Sequence, residues 1–234
     1  MIEKFKPDII DIFGFKMMLD KKDESGHSII NLKEIELFKK HIKLGDTVID
    51  VGANIGYYTL MFASLVGPTG KVIAFEPIME NFDLLSKNIE LNKLNNIELH
   101  QKAVGAYNSK VKMKLSESIG QHQISENGDY EIECVPLDDY VKFADFVKID
   151  VEGYEIDVLV GMKNLLAQKL TIISEFYLKL LKQHGDPKQF FKILYQNGFV
   201  LYDIRDKMQP VNVFQILDKY EKNIVATDIL CIKQ

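Results

Sequence analysis

The sequence predicts an α/β protein built on a mostly parallel sheet, and three observations carry that prediction. Short apolar, β-branched segments without polar alternation recur along the chain, as in "TVIDV" (47–51) and "FVKIDV" (146–151). That is the pattern of strands buried on both faces. Amphipathic segments with apolar positions at helical spacing lie between them. The two kinds alternate, which implies βαβ units.

Each element has its own signal. Residues 8–20 alternate loosely and read as a hairpin or lid. In "NLKEIELFKKHIKLGD", Ile35, Leu37, Phe38 and Ile42 share a helical face and Gly45 ends the helix. "TVIDV" is the first core strand, "IGYYTLMFASLV" (55–66) the next helix, and "GPTG" (67–70) its break. "KVIAFE" (71–76) is the second strand, followed by a helix at 79–94 with Phe82, Leu85 and Ile89 on one side. "IELHQKAVG" (97–105) is the third strand and its exit. Residues 106–136 are polar and irregular, with strand-like pieces. "FVKIDV" is the fourth strand, "YEIDVLVGMKNLL" (154–166) a helix, and "LTIISEF" (170–176) the fifth strand. A helix at 187–198, a strand at 199–204, a helix near 212–222 and a strand at 228–233 complete the chain.

Composition narrows the function classes. The 234 residues, 47 % hydrophobic and 27 % charged, suit one globular domain. One domain is expected over 1–234, with 1–33 an N-terminal extension or lid and 34–234 a Rossmann-like core. The two cysteines, Cys134 and Cys231, form no metal or disulfide pattern and suit a reducing compartment. The charged N-terminus lacks a signal-peptide pattern and no run of eighteen apolar residues occurs, so a cytoplasmic location is expected. A net charge of −5 disfavours a nucleic-acid partner.

In open parallel sheets, ligands bind beyond the carboxyl ends of the strands. The polar residues there are Asp50, Glu76, Lys102, Asp150 and Glu175, four of them acidic. In "DVGANIG", Gly52 allows a tight turn, Asn54 tolerates positive φ, and Gly56 opens a helix. Glu76 follows Asp50 at βαβ spacing and suits both hydroxyls of a ribose. The glycine spacing departs from the dinucleotide fingerprint, and Asp50 would repel a pyrophosphate. It suits the cationic amino group of a methionine moiety. S-adenosylmethionine is therefore the better ligand than NAD.

"GDTVIDVGANIGYYTLMFASLVGPTGKVIAFEP", "NFDLLSKNIELNKLNNIELHQKAVG" and "FVKIDVEGYEIDVLVGM", with "LDDYV" and "IISEF", resemble the FkbM-type methyltransferase family over roughly residues 34–176. The resemblance implies the seven-stranded class I methyltransferase sheet, mostly parallel with an antiparallel last strand and helices on both faces. It also implies methyl transfer from S-adenosylmethionine, typically to a hydroxyl on a sugar, glycan, glycolipid or secondary metabolite. Asp50, Gly52, Asn54 and Gly56 would then hold the methionine end, with Tyr57 and Thr59 lining that pocket. Glu76 would bind the ribose, and Ala103 would flank adenine through its backbone. Asp150 and Glu152 are the candidate catalytic carboxylates, with a histidine such as His122 the alternative base, since an alcohol needs a proton acceptor as the C–O bond forms. Asp150 is also a candidate cofactor contact, and Glu152 a candidate helix cap. His122 and Glu175 are candidate substrate contacts. Asp150, Glu152 and Glu175 could hold magnesium, but their spacing does not demand it, and no metal is expected. The competing readings are an RNA (tRNA) methyltransferase and a non-catalytic S-adenosylmethionine-binding module. The motif Asp150-Val151-Glu152-Gly153 stands where nitrogen-methylating enzymes carry Asn/Asp-Pro-Pro, which disfavours the first. A homo-oligomer is left open, as are lid and dimer roles for Ile9, Ile10, Ile12, Phe13 and Phe15.

Overall fold

A computed structural model describes residues 9–19, 32–114, 123–124, 128, 130–206, 208–222 and 226–233. The elements, in chain order, are β1 (Ile9–Ile12), β2 (Phe15–Met18), α1 (Leu32–His41), β3 (Thr47–Val51), α2 (Tyr57–Val66), β4 (Lys71–Phe75) and α3 (Met79–Leu91). Next come β5 (Ile97–His100), β6 (Ala103–Val104), β7 (Ser109–Lys114), β8 (Gln123–Ile124), β9 (Tyr130–Val135), α4 (Leu137–Tyr140) and β10 (Phe146–Ile149). The chain ends with α5 (Glu155–Val160), α6 (Lys163–Leu166), β11 (Thr171–Phe176), α7 (Leu178–His184), α8 (Lys188–Gln196), β12 (Phe199–Asp203), α9 (Val213–Lys222) and β13 (Thr227–Lys233).

Seven strands form one sheet in the order β12-β13-β11-β10-β3-β4-β5. β10 pairs in parallel with β3 and β11, and β3–β4 and β4–β5 are parallel too, whereas β13 runs antiparallel to both its neighbours. The chain leaves β3 toward one edge and returns at β10, so the order reverses between these two strands. A ligand crevice opens at such a reversal.

Both faces of the sheet are covered, which explains the unbroken apolar strands. On one face Phe38 of α1 and Phe62 of α2 meet Val48 and Phe146. Their rings pack edge to face, with the Phe38 and Phe62 centroids 4.9 Å apart. On the other face Ile156, Leu159, Leu165, Phe190, Leu194 and Ile216 cover Ile49, Val147 and Ile172.

The structure refines the sequence expectation in two places and departs from it in one. Residues 97–105 are the expected strand and its exit: β5 ends at His100, and Ala103–Val104 turn away to pair with β9. The region 106–136 supplies most of this second sheet, ordered β6-β9-β7-β8. The helix expected over 154–166 is two short ones, broken at Gly161. A Cβ there would overlap the Gly105 carbonyl oxygen, so the close approach of the two segments decides the break. The N-terminal segment is a hairpin, closed by Phe13 (φ 54°) and Gly14 (φ 83°). Asn88 of α3 and Asn92, just past its end, pin it through the backbone of Met18 and Lys16.

Candidate active site

The turn after β3 is built by close approach and capping. Gly52 has φ 85°, and a Cβ on it would overlap the Asp150 carbonyl oxygen. The glycine therefore lets the ends of β3 and β10 meet, in addition to turning the chain. Asn54 adopts φ 51°, as its residue type allows, and its Oδ1 accepts the Ile55 N–H at 2.7 Å. Gly56, with φ 100°, precedes α2 and lies against Leu85.

Glu76 stands just past β4 and folds back on this turn. Its Oε2 accepts the Asn54 N–H at 2.8 Å and its Oε1 the Ile78 N–H at 2.9 Å. Asn81 Nδ2 donates at 3.4 Å. The carboxylate is 4 % exposed, and burial raises its pKa to about 7 against the pull of those donors. It is the clamp between the two loops that flank the crevice.

Asp50 is the buried acid of β3. Thr59 Oγ1 donates to its Oδ2 at 2.6 Å, so the threonine of α2 fixes the carboxylate. Burial raises the pKa of Asp50 to about 6, opposed by the charge of Lys148. Tyr57, 6 % exposed, packs with Ile55 and Leu60 in the core beside the hairpin.

Lys148 is opposite Asp50 in the β3–β10 register and almost fully enclosed. Its Nζ lies 2.7 Å from Asp150 Oδ2 and 4.9 Å from the Tyr58 ring centroid. The charges of Asp150, Glu34 and Asp50 hold its pKa well above the ordinary lysine range despite burial. A buried lysine with several acids stays charged and orders them. The Asp150 side chain, by contrast, keeps 37 % of its surface open.

Beyond β10, Glu152 occupies φ 56°, an uncommon conformation for a residue with a side chain. Glu155 caps the loop: its Oε1 accepts the N–H groups of Val151 and Gly153 at 3.2 and 3.1 Å. That corrects the expectation of Glu152 as the cap, because α5 starts only at Glu155. Burial raises Glu155 to about 7 and, with the nearby charge of Asp150, Glu152 to about 8. Glu175 ends β11 facing the same place. Its burial and the charges of Asp150, Glu155 and Glu152 hold it well above the ordinary range. Asp150, Glu152 and Glu175 bring ligand oxygens within 4.8 Å of one another.

The predicted residues Asp50, Gly52, Asn54, Gly56, Thr59 and Glu76 are therefore gathered at the β3–β4 end, and Asp150, Glu152 and Glu175 at the β10–β11 end. Ala103 is buried in β6, against Cys134 of β9. His122 lies outside the described residues. At the ends of β4 and β5, Phe75 and His100 stack at 4.8 Å, with Tyr140 edge-on to His100 at 5.0 Å. Sequence reasoning missed Lys148, Glu34, Glu155 and Asp228. A lysine inside an otherwise apolar strand was the available signal for the first. Glu34 and Asp228 come together only through the fold, where burial, and a hydrogen bond that protonated Asp228 donates to Glu34, raise Asp228 well above the ordinary range.

A sequence profile of the methyltransferase FkbM domain matches residues 50–209. The hexuronic acid methyltransferase AglP of Haloferax volcanii is 29 % identical over 167 residues, 68 % of this chain and 66 % of that one. The chain thus spans just under two thirds of that relative's length. Methyltransferase 1 of Beauveria bassiana is 24 % identical, with 70 % of this chain and 76 % of that one covered. Among solved structures, an rRNA-methylase from Clostridium thermocellum superposes with a TM-score of 0.55 at 17 % identity, covering 86 % and 93 % of the two chains. A Streptococcus mutans methyltransferase in complex with SAH gives 0.54 at 16 % identity, covering 88 % and 99 %. These superpositions establish the seven-stranded methyltransferase fold.

Proposed function

This chain belongs to the FkbM methyltransferase family, whose methyl donor is S-adenosylmethionine, and from that premise we propose that it methylates a hydroxyl oxygen of a sugar or glycan. The observation that carries the reading is the placement of Asp150. Its carboxylate is anchored by the enclosed Lys148, remains partly open, and stands between the Asp50–Glu76 end of the crevice and Glu152 and Glu175. The chain's residues fit the donor. Asp50 is a buried acid whose charged form a cation would restore, and Glu76 is an acceptor beside the loop that a ribose would reach.

S-adenosylmethionine supplies an electrophilic methyl group on a cationic sulfur. The protein's part is placement and proton handling. Thr59 and Lys148 fix Asp50 and Asp150, so the acids need not reorganise during the reaction. Asp150 or Glu152 accepts the proton that the acceptor hydroxyl loses as its oxygen bonds to carbon. His100 and Tyr140, backed by the buried Phe75, offer aromatic surfaces for a purine at the β4–β5 end. A sugar is the acceptor class suggested by the name of the Haloferax volcanii relative, a hexuronic acid methyltransferase. Several carboxylates at the proposed acceptor end suit a polyhydroxylated acceptor, whose hydroxyls donate hydrogen bonds.

The test is calorimetric titration with S-adenosylhomocysteine, then incubation of S-adenosylmethionine with sugars, glycolipids and, as a control class, RNA. Methylated sugar read by mass spectrometry supports the proposal. Methylated RNA with unchanged sugars would overturn it.

A further inference from the structure

Asp150, Glu152 and Glu175 present oxygens within 4.8 Å of one another. Carboxylates this close repel unless protons or a cation lie among them. Among the described residues, neither Glu152 nor Glu175 has an ion-pair partner, and Lys148 is directed to Asp150.

A second observation points to what fills the cluster. Oε2 of Glu175 is buried and accepts no hydrogen bond. So is Oε2 of Glu155, whose side chain is fully enclosed and whose other oxygen is taken by two backbone N–H groups. The N–H groups that hold Glu155 flank Glu152, so this glutamate braces the loop that brings Glu152 to the cluster. Buried carboxylate oxygens left without donors are an unmet demand for positive charge. The Glu152 backbone, at φ 56°, is held in a sparsely populated conformation where its carboxylate joins the other two.

We propose that Asp150, Glu152 and Glu175 bind one hard divalent cation, magnesium or manganese, at the acceptor end of the crevice. An all-oxygen, all-carboxylate set suits these ions, whereas nitrogen and sulfur ligands favour zinc. Three protein ligands leave coordination positions for water and for acceptor oxygens. The inference rests on the reading that the acceptor hydroxyl approaches Asp150. A hydroxyl coordinated there would lose its proton more readily, and the ion would offset the crowded charges. It departs from the sequence expectation of no metal.

The experiment uses the full chain stripped of metal. Manganese binding is followed by calorimetry and by the paramagnetic resonance signal of the free ion. S-adenosylhomocysteine is titrated in a parallel cell. The expected result is one manganese ion per chain, with a dissociation constant in the range of about 10⁻⁵ to 10⁻³ M and displacement by magnesium. Glu175→Gln and Glu152→Gln should each weaken manganese binding about tenfold or more while S-adenosylhomocysteine still binds. Removing a carboxylate relieves repulsion, so both variants should fold, and manganese should raise the melting temperature of the wild type more than that of either variant. Absence of saturable manganese binding by the wild type, or unchanged affinity in both variants, would overturn the proposal. Manganese binding without S-adenosylhomocysteine binding would count against the cofactor reading and leave the ion in place.

Discussion

Lys148 Nζ and Asp150 Oδ2 lie 2.7 Å apart at the end of one strand, the lysine enclosed and the aspartate open to the crevice. The pair joins the core to the reaction end of the sheet. Lys148→Met keeps the volume and removes the charge that offsets Asp150, Glu34 and Asp50. Breaking a fully buried pair on one side costs about 3–5 kcal/mol, and the open Asp150 side chain brings the expected loss down to about 2 kcal/mol. Denaturant melts should show that loss, together with reduced turnover. A melt unchanged from wild type would mean the lysine is not charged in the fold.

Asp150→Asn should lower turnover more than it lowers S-adenosylhomocysteine affinity, because the proposed role is with the acceptor's proton. Equal losses in both would make Asp150 a cofactor ligand instead. Single-turnover kinetics and calorimetry together separate these outcomes.

Glu76→Ala removes a charged acceptor proposed for two ribose hydroxyls. Affinity for S-adenosylhomocysteine should fall by about 2–3 kcal/mol. The same change frees the N–H groups of Asn54 and Ile78, so the melting temperature should fall as well. Unaltered calorimetric affinity would remove the ribose assignment.

Asp50 and Glu76 have pKa values raised by burial to about 6 and about 7 from 3.8 and 4.5. The folded state therefore holds protons that the unfolded chain releases. Their contribution to stability is fully present below pH 3.8–4.5 and lost as pH rises through 6 and 7. The ligand-free protein should thus lose stability from these two groups between about pH 4 and pH 7. A cationic ligand should restore part of it. Melting curves across that range, with and without S-adenosylmethionine, would show the gap widen with pH. A gap that is constant with pH would contradict the assignment.

Asp203 behaves in the opposite sense. Its carboxylate accepts hydrogen bonds from Thr227 Oγ1 at 2.7 Å, Lys219 Nζ and Tyr220 Oη at 2.9 Å each, and the Arg205 N–H at 3.0 Å. These donors outweigh burial and hold its pKa below the usual 3.8. Its contribution is present above pH 3.8 and lost as pH falls through the lower folded value. Asp203→Ala should cost about 3 kcal/mol and leave β12, α9 and β13 poorly joined. A loss below about 0.5 kcal/mol, the size of an ordinary surface change, would show that the network is not structural.

Gly52→Ala combines an unfavourable φ with overlap on the Asp150 carbonyl. The expected cost is about 3 kcal/mol or more, with loss of S-adenosylhomocysteine binding. A stable variant that binds normally would mean that the ends of β3 and β10 can part without consequence.

The strand and helix sequence was legible because its causes are local. Buried strands such as Thr47–Val51 show as continuous apolar runs, and α1 with the residue after it buries the Ile35, Phe38 and Ile42 stripe that its spacing announced. The turn from Gly52 to Gly56 and the acid Glu76 were legible for the same reason, since positive φ and strand-end position leave marks on residue type. Where the expectation failed, a distant group intervened. Gly105 breaks the helix at Gly161.

By itself, the sequence determined the α/β class, the phosphate-averse acidic turn and the strand ends that carry Asp50, Glu76, Asp150 and Glu175. Each of these follows from neighbours within a few residues or from one βαβ unit. Only the tertiary structure decided how the charges meet: Lys148 between Asp50 and Asp150, and Glu152 and Glu175 drawn beside Asp150. Electrostatic energy depends on separation in space and on enclosure, and neither is a function of distance along the chain.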